Sequence, residues 1–164
     1  MKKISRIPTG FTLIELIVVL LILSALAVTA YARMAHIDAL ARQATLQSFK
    51  ASVLATATMA RGVCMADAQC SDQLPAPSTS IEGHTIYFNH GYPVGWLGNA
   101  DGAGTLQQLL DPGKLTIQAA LSDSNRAVYY FDVAKDSSHC KLEYVIAATG
   151  PNAGLTVTTD HTGC

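Results

Sequence analysis

From Phe11 to Ala32 the chain is an almost unbroken apolar run, FTLIELIVVLLILSALAVTAYA, interrupted only by Thr12, Glu15, Ser24 and Thr29. At about 1.5 Å per residue it makes a helical rod of roughly 33 Å, long enough to cross a bilayer. It also explains the composition. The 164 residues are 49% hydrophobic and 14% charged, yet without residues 1–32 the hydrophobic share falls to about 45%, ordinary for a globular domain. Low charge with this much apolar surface argues against disorder. A formal net charge of −1 argues against holding nucleic acid through its phosphates, and no direct nucleic-acid partner is expected.

Lys2, Lys3 and Arg6 precede the run. By the positive-inside rule they hold the N-terminus in the cytoplasm, and the chain beyond Arg33 is exported. Three readings compete for the segment: a secretory signal peptide, a plain membrane anchor, and a leader cut before the apolar stretch. A signal peptide has small-residue cleavage sites available at Ala25-Leu26-Ala27 and Ala30-Tyr31-Ala32. Glu15 decides among the three. A carboxylate inside a membrane helix costs about 2.5–3.5 kcal/mol even on the gentler insertion scale, and neither of the first two readings uses one.

Gly10-Phe11-Thr12-Leu13-Ile14-Glu15-Leu16 resembles the processing site of type IV pilins and type II secretion pseudopilins, a class III prepilin leader. The resemblance implies cleavage between Gly10 and Phe11 by a membrane prepilin peptidase, and methylation of the new amino terminus at Phe11. Gly10 offers no side chain to a tight protease cleft. Cleavage removes three positive charges and takes the net charge from −1 to −4. The resemblance also gives Glu15 an assembly role, meeting the Phe11 amino terminus of a neighbouring subunit. The physics agrees, since a lone buried carboxylate is expensive until it is paired. Type IVa pilins often carry Gly where this chain has Ser24 and Pro where it has Ala32, which puts local melting of the helix in doubt.

The helix is expected to continue past the membrane. Between Arg33 and Arg61 there is no Gly or Pro, and good helix formers are frequent. Leu46, Phe49, Val53, Ala57 and Ala60 recur at steps of three and four, as a helix packing on a sheet requires. Ile37, Leu40, Ala44 and Ala51 form a second stripe, available to other subunits. Gly62 is read as the C-terminal stop. The expected organisation is a cleaved leader at 1–10, a transmembrane and filament-core helix at 11–32, an amphipathic continuation at 33–62, and a head at 63–164.

In the head, residues 71–83 are rich in Ser, Pro and Gln and read as an extended linker. Residues 84–88 have strand character, Gly91-Tyr92-Pro93-Val94-Gly95-Trp96 reads as a turn, and Thr105 caps one or two helical turns before Pro112. Strands are clearest at 126–133, 140–147 and 155–159, with a turn at 150–154. Together with 84–88 they predict one small antiparallel sheet packed on the helix, an α+β fold, which is also what the pilin resemblance implies. Within that family the head is similar to the mannose-sensitive haemagglutinin type, through Ala27-Val28-Thr29-Ala30, Gly91-Tyr92-Pro93 and the closing Thr162-Gly163-Cys164.

Four cysteines allow three pairings, and export favours disulfides. Cys64 with Cys70 and Cys140 with Cys164 each close a compact loop. The second resembles the C-terminal disulfide region of type IV pilins. The order Cys64, Cys70, His84, His90 is too widely spaced for a usual zinc site. Asp101-Gly102-Ala103-Gly104 has too few oxygen ligands for calcium. No metal or cofactor is expected. The aromatic residues Tyr87, Phe88, Tyr92, Trp96, Tyr129, Tyr130 and Phe131 read as core and turn packing rather than an adhesive surface. Hydrolase, metalloprotease and phosphate-loop motifs are absent from the sequence, so an enzyme is not expected. The resemblance implies a structural subunit of a type IV pilus, used for adhesion or motility, or alternatively a pseudopilin of a secretion piston. It implies as partners copies of itself, the prepilin peptidase, an inner-membrane assembly platform and, before assembly, membrane lipid. The implied locations are the bacterial inner membrane first and an extracellular pilus afterwards.

Overall fold

The computed structural model describes residues 11–71, 74–99, 101–111, 113, 115–117, 123–132, 134–148 and 154–164. The chain divides into two compact units, one ending at Ala39 and one spanning Leu40–Cys164.

Helix α1 runs Leu13–Ala66. Its predicted core stripe is buried at every position: Leu46, Phe49, Val53, Ala57 and Ala60. The predicted stop at Gly62 is wrong, because the helix continues one further turn. The buried face extends to Cys64, one turn beyond Ala60. Gly62 lies on the opposite side, where an added Cβ would meet nothing within 4 Å. A mid-helix glycine costs about 1 kcal/mol, and burial of the next turn offsets it.

Two sheets form where one was expected. The first is a three-stranded antiparallel ribbon, β1 (Ser78–Ile81), β2 (His84–Asn89) and β3 (Tyr92–Pro93). Two tight hairpins build it. Glu82-Gly83 has φ of 50° and 82°, and His90-Gly91 has φ of 49° and 74°. Positive φ at both turn residues matches the right-handed twist of the flanking strands. Ser78–Ile81 therefore corrects the linker reading of 71–83, and the turn placed at 91–96 begins one residue earlier. Pro93 is tolerated because β3 is an edge.

The second sheet is a four-stranded antiparallel meander in the order β4 (Leu115–Ile117), β5 (Arg126–Phe131), β6 (Lys141–Ala147) and β7 (Gly154–Asp160). Strand β4 is an addition to the strands that the sequence predicts. In β6 the alternation is complete: Leu142, Tyr144 and Ile146 are buried and the residues between them are half-exposed. With Ala127, Tyr129 and Phe131 of β5 they face the helix stripe in one core. The Phe49 and Tyr129 rings meet edge to face at 5.2 Å, a favoured aromatic geometry. A second cluster of Ala60, Cys64, Cys70, Ile86 and Phe88 joins the end of α1 to the first sheet. Phe88, Trp96, Tyr129 and Phe131 are buried, so much of the aromatic set serves the core.

A buried hydrogen bond ties the two sheets, the Tyr144 hydroxyl donating to the Pro93 carbonyl at 2.7 Å. Tyr129 is equally buried, but its hydroxyl has no partner among the described residues. The two tyrosines should therefore respond oppositely to loss of the hydroxyl. Tyr144→Phe strands a buried carbonyl and is expected to cost about 1–2 kcal/mol. Tyr129→Phe removes an unsatisfied group and is expected to be neutral or stabilising. Urea melts of both variants check this, and an equal loss in the two would refute it.

Candidate assembly site at the start of the helix

The helix begins on a hydrogen-bonded cap. The Thr12 carbonyl accepts from the backbone N–H of Glu15 at 3.1 Å and of Leu16 at 3.3 Å. The Thr12 hydroxyl oxygen accepts from the Glu15 N–H at 3.3 Å, and the hydroxyl donates to Glu15 Oε2 at 3.5 Å. Thr-x-x-Glu is the spacing of a capping box. Reading Glu15 only as a charge misses this role, although the spacing is there in the sequence. The carboxylate in the first turn also faces the positive end of the helix dipole.

Every residue of Leu13–Tyr31 is exposed, and this stretch is long and apolar enough to cross a membrane. Its serine and threonine hydroxyls are satisfied locally. Ser24 donates to the Leu21 carbonyl and Thr29 to the Leu26 carbonyl, each at 2.8 Å. Glu15 has only its long bond to Thr12 and no cation partner among the described residues. Beside it Phe11 is 83% exposed. Gly10, the other residue of the predicted cleavage site, lies outside the described residues. At Ser24 and Ala32 the α1 backbone runs through unbroken.

Residues 8–31 match the family model of the prokaryotic N-terminal methylation motif. This match supports a class III prepilin leader. No curated protein and no solved structure matches the chain. The motif supports a type IV pilin-like or pseudopilin protein and suggests a structural role. It implies processing by a prepilin peptidase, and with the apolar helix it fits membrane insertion as a prepilin. The α+β arrangement of a long N-terminal helix and small antiparallel sheets is consistent with the pilin fold.

The cysteines are the other group singled out from the sequence. Cys64 is bonded to Cys70, with Cα atoms 5.1 Å apart, and Cys140 to Cys164, 4.8 Å apart. Bonded cysteines are not free to ligate zinc, and no cluster of potential metal ligands occurs among the described residues. The Asp101–Gly104 segment is a turn, in which the Thr105 hydroxyl donates to the Gly102 carbonyl at 2.7 Å. The last residue is further held by Arg42 of α1, whose Nε donates to the Cys164 carbonyl at 2.6 Å. Sequence carries no signal for that contact, because 122 residues separate the partners.

Each disulfide loop also carries an aspartate turn. Asp67 accepts from the Thr79 hydroxyl at 2.5 Å and from the Gln69 N–H at 2.9 Å. These bonds, the hydroxyl first, hold its carboxyl below the usual range. Asp136 is lowered by the Ser138 hydroxyl and then His139, whose Nδ1 is 2.9 Å away. Asp160 is lowered by the hydroxyl and then the N–H of Thr162. A carboxylate whose folded pKa lies below its unfolded value adds stability above the unfolded value, near 4, and loses it as pH falls through the folded one. Thermal midpoints should therefore hold steady from pH 7 to about 5 and fall toward pH 3. Asp67→Asn together with Asp136→Asn should flatten that fall. An unchanged acid slope in the double variant would show that other groups carry it.

Proposed function

We propose that the chain is a pilin, a structural subunit that polymerises through its N-terminal helix into an extracellular type IV pilus serving adhesion or motility. The observation that carries the reading is the methylation motif overlapping an exposed apolar span, Leu13–Tyr31, whose one carboxylate, Glu15, lacks a cation partner among the described residues. In that reading the leader is removed after Gly10, Phe11 is methylated, and the Phe11 ammonium of an adjacent copy pairs with Glu15. Such a pair sets the axial register of one copy against the next more than it adds net stability, because desolvation offsets much of the attraction.

A second reading, a pseudopilin in a short periplasmic piston, shares the same N-terminus. The disulfide-closed 140–164 loop favours the pilus. Cys164 is tied to Cys140 by a disulfide and to Arg42 by a hydrogen bond, which suits a surface that must survive outside the cell.

Two measurements test the proposal. Mass spectrometry of the mature chain is expected to find a methylated N-terminal Phe11, and a start at Arg33 would refute the pilin route. Imaging of cells with and without the gene is expected to show surface fibres lost on deletion. Unchanged fibres with a secretion defect would favour the piston.

A further inference from the structure

The Leu40–Cys164 unit has an apolar groove that the described residues leave open. Thr56, Met59 and Val63 of α1 line one side, Ile81 and Leu109 the other, and Glu82 stands at the rim, around a cavity of about 180 Å³. Met59 is 72% and Val63 43% exposed. Glu82 occupies the first position of the β1–β2 turn, with φ of 50°, and makes no ion pair among the described residues. The groove therefore asks for one or two aliphatic side chains with a cation beside them.

We infer that this groove receives the Arg33–Leu40 stretch of α1 from a second copy, with Met34 and Ile37 in the groove and Arg33 on Glu82. This rests on the reading of the chain as an assembling pilin and names one of its contacts. Arg33, Ile37 and Leu40 recur at steps of four and three on one helix face, and Met34 adjoins it. Met34, Ile37 and Leu40 are at least half exposed. They lie beyond the apolar span that ends at Tyr31, so lipid tails do not account for them.

The other described arginines are engaged elsewhere. Arg42 binds the Cys164 carbonyl, Arg61 stacks on the Tyr92 ring at 4.4 Å, and Arg126 pairs with Glu143. Arg33 has no ion-pair partner among the described residues. It is the described cation that shares a helix face with several exposed large apolar side chains. An anionic lipid surface is disfavoured as occupant, because the rim carries an acid.

Cysteine pairing in sheared filaments tests the contact. Ile37→Cys combined with Met59→Cys is expected to give a ladder of multimers on mild oxidation, seen on a non-reducing gel. Each single variant, and Ile37→Cys combined with Thr158→Cys on the exposed part of β7, should remain monomeric. If cysteine variants assemble poorly, charge exchange gives an independent readout. Glu82→Arg should lower filament yield about threefold, and adding Arg33→Glu should restore it. Filaments that form normally but show neither ladder nor rescue overturn the groove assignment and leave the pilin reading standing. A wild-type chain that forms no filament overturns both.

Discussion

Glu15→Ala is expected to leave insertion and cleavage intact and to reduce filament about a hundredfold or more. Leaving one partner of a buried ion pair alone costs about 3–5 kcal/mol, and each 1.4 kcal/mol is a factor of ten in association. In the proposed filament the stranded group is the Phe11 ammonium of the next copy. The substitution also removes the carboxylate's own penalty in lipid, about 2.5–3.5 kcal/mol, so the variant gains a reason to stay in the membrane. Both effects act against assembly. The measurement is the ratio of sheared filament to membrane pool by immunoblot, with the mass of the processed chain as control. Glu15→Gln separates charge from capping, because an amide can still accept the Thr12 hydroxyl seen at 3.5 Å. A filament yield from Glu15→Gln equal to wild type would sink the ion-pair role.

Replacing Cys140 and Cys164 together by Ser is the second large effect. The bond spans 24 residues. In the chain-entropy model a loop of that length contributes about 3–4 kcal/mol, which for a unit of this size corresponds to a melting point roughly 10–20 °C lower. The shorter Cys64–Cys70 loop spans 6 residues and should contribute about 2 kcal/mol. Thermal melts of the detergent-solubilised full chain compare the two double variants. The Cys140/Cys164 pair should show the larger loss. After the bond is removed, the tail keeps the Arg42 hydrogen bond and two backbone bonds, Gly163 N–H to the His139 carbonyl and Asp136 N–H to the Gly163 carbonyl. The variant should therefore still fold at low temperature. A larger drop for Cys64/Cys70 would show that the chain-entropy account fails here.

Legibility followed the range of the interactions. The core stripe from Leu46 to Ala60 was readable because helix periodicity puts steps of three and four on one face whatever packs there. β5, β6 and β7 were readable because they are rich in β-branched and aromatic residues, with alternation clearest in β6. β1 escaped because Ser78-Thr79-Ser80-Ile81 has a loop-like composition. It becomes a strand only by pairing with β2 across the Glu82-Gly83 turn. A two-residue turn ending in Gly was the available signal, but glutamate at positive φ is too uncommon to suggest it. The helix end differs from the local signal for a similar reason. Gly62 is a stop signal locally, and burial of Cys64 against Cys70, Ile86 and Phe88 overrides it.

The N-terminal site is the opposite case. The leader, the apolar span and Glu15 within it are local facts of composition and order, so residues 8–31 suffice to match the N-terminal methylation motif. Beyond that stretch, contacts between distant residues settle the structure. Two sheets form rather than one, joined through Tyr144 and Pro93, and Arg42 fastens the end of the chain. Covalent order and local composition determine the methylation motif and the apolar span within it. Packing between residues far apart in sequence decides how the strands of the Leu40–Cys164 unit are partnered and how its two sheets are joined.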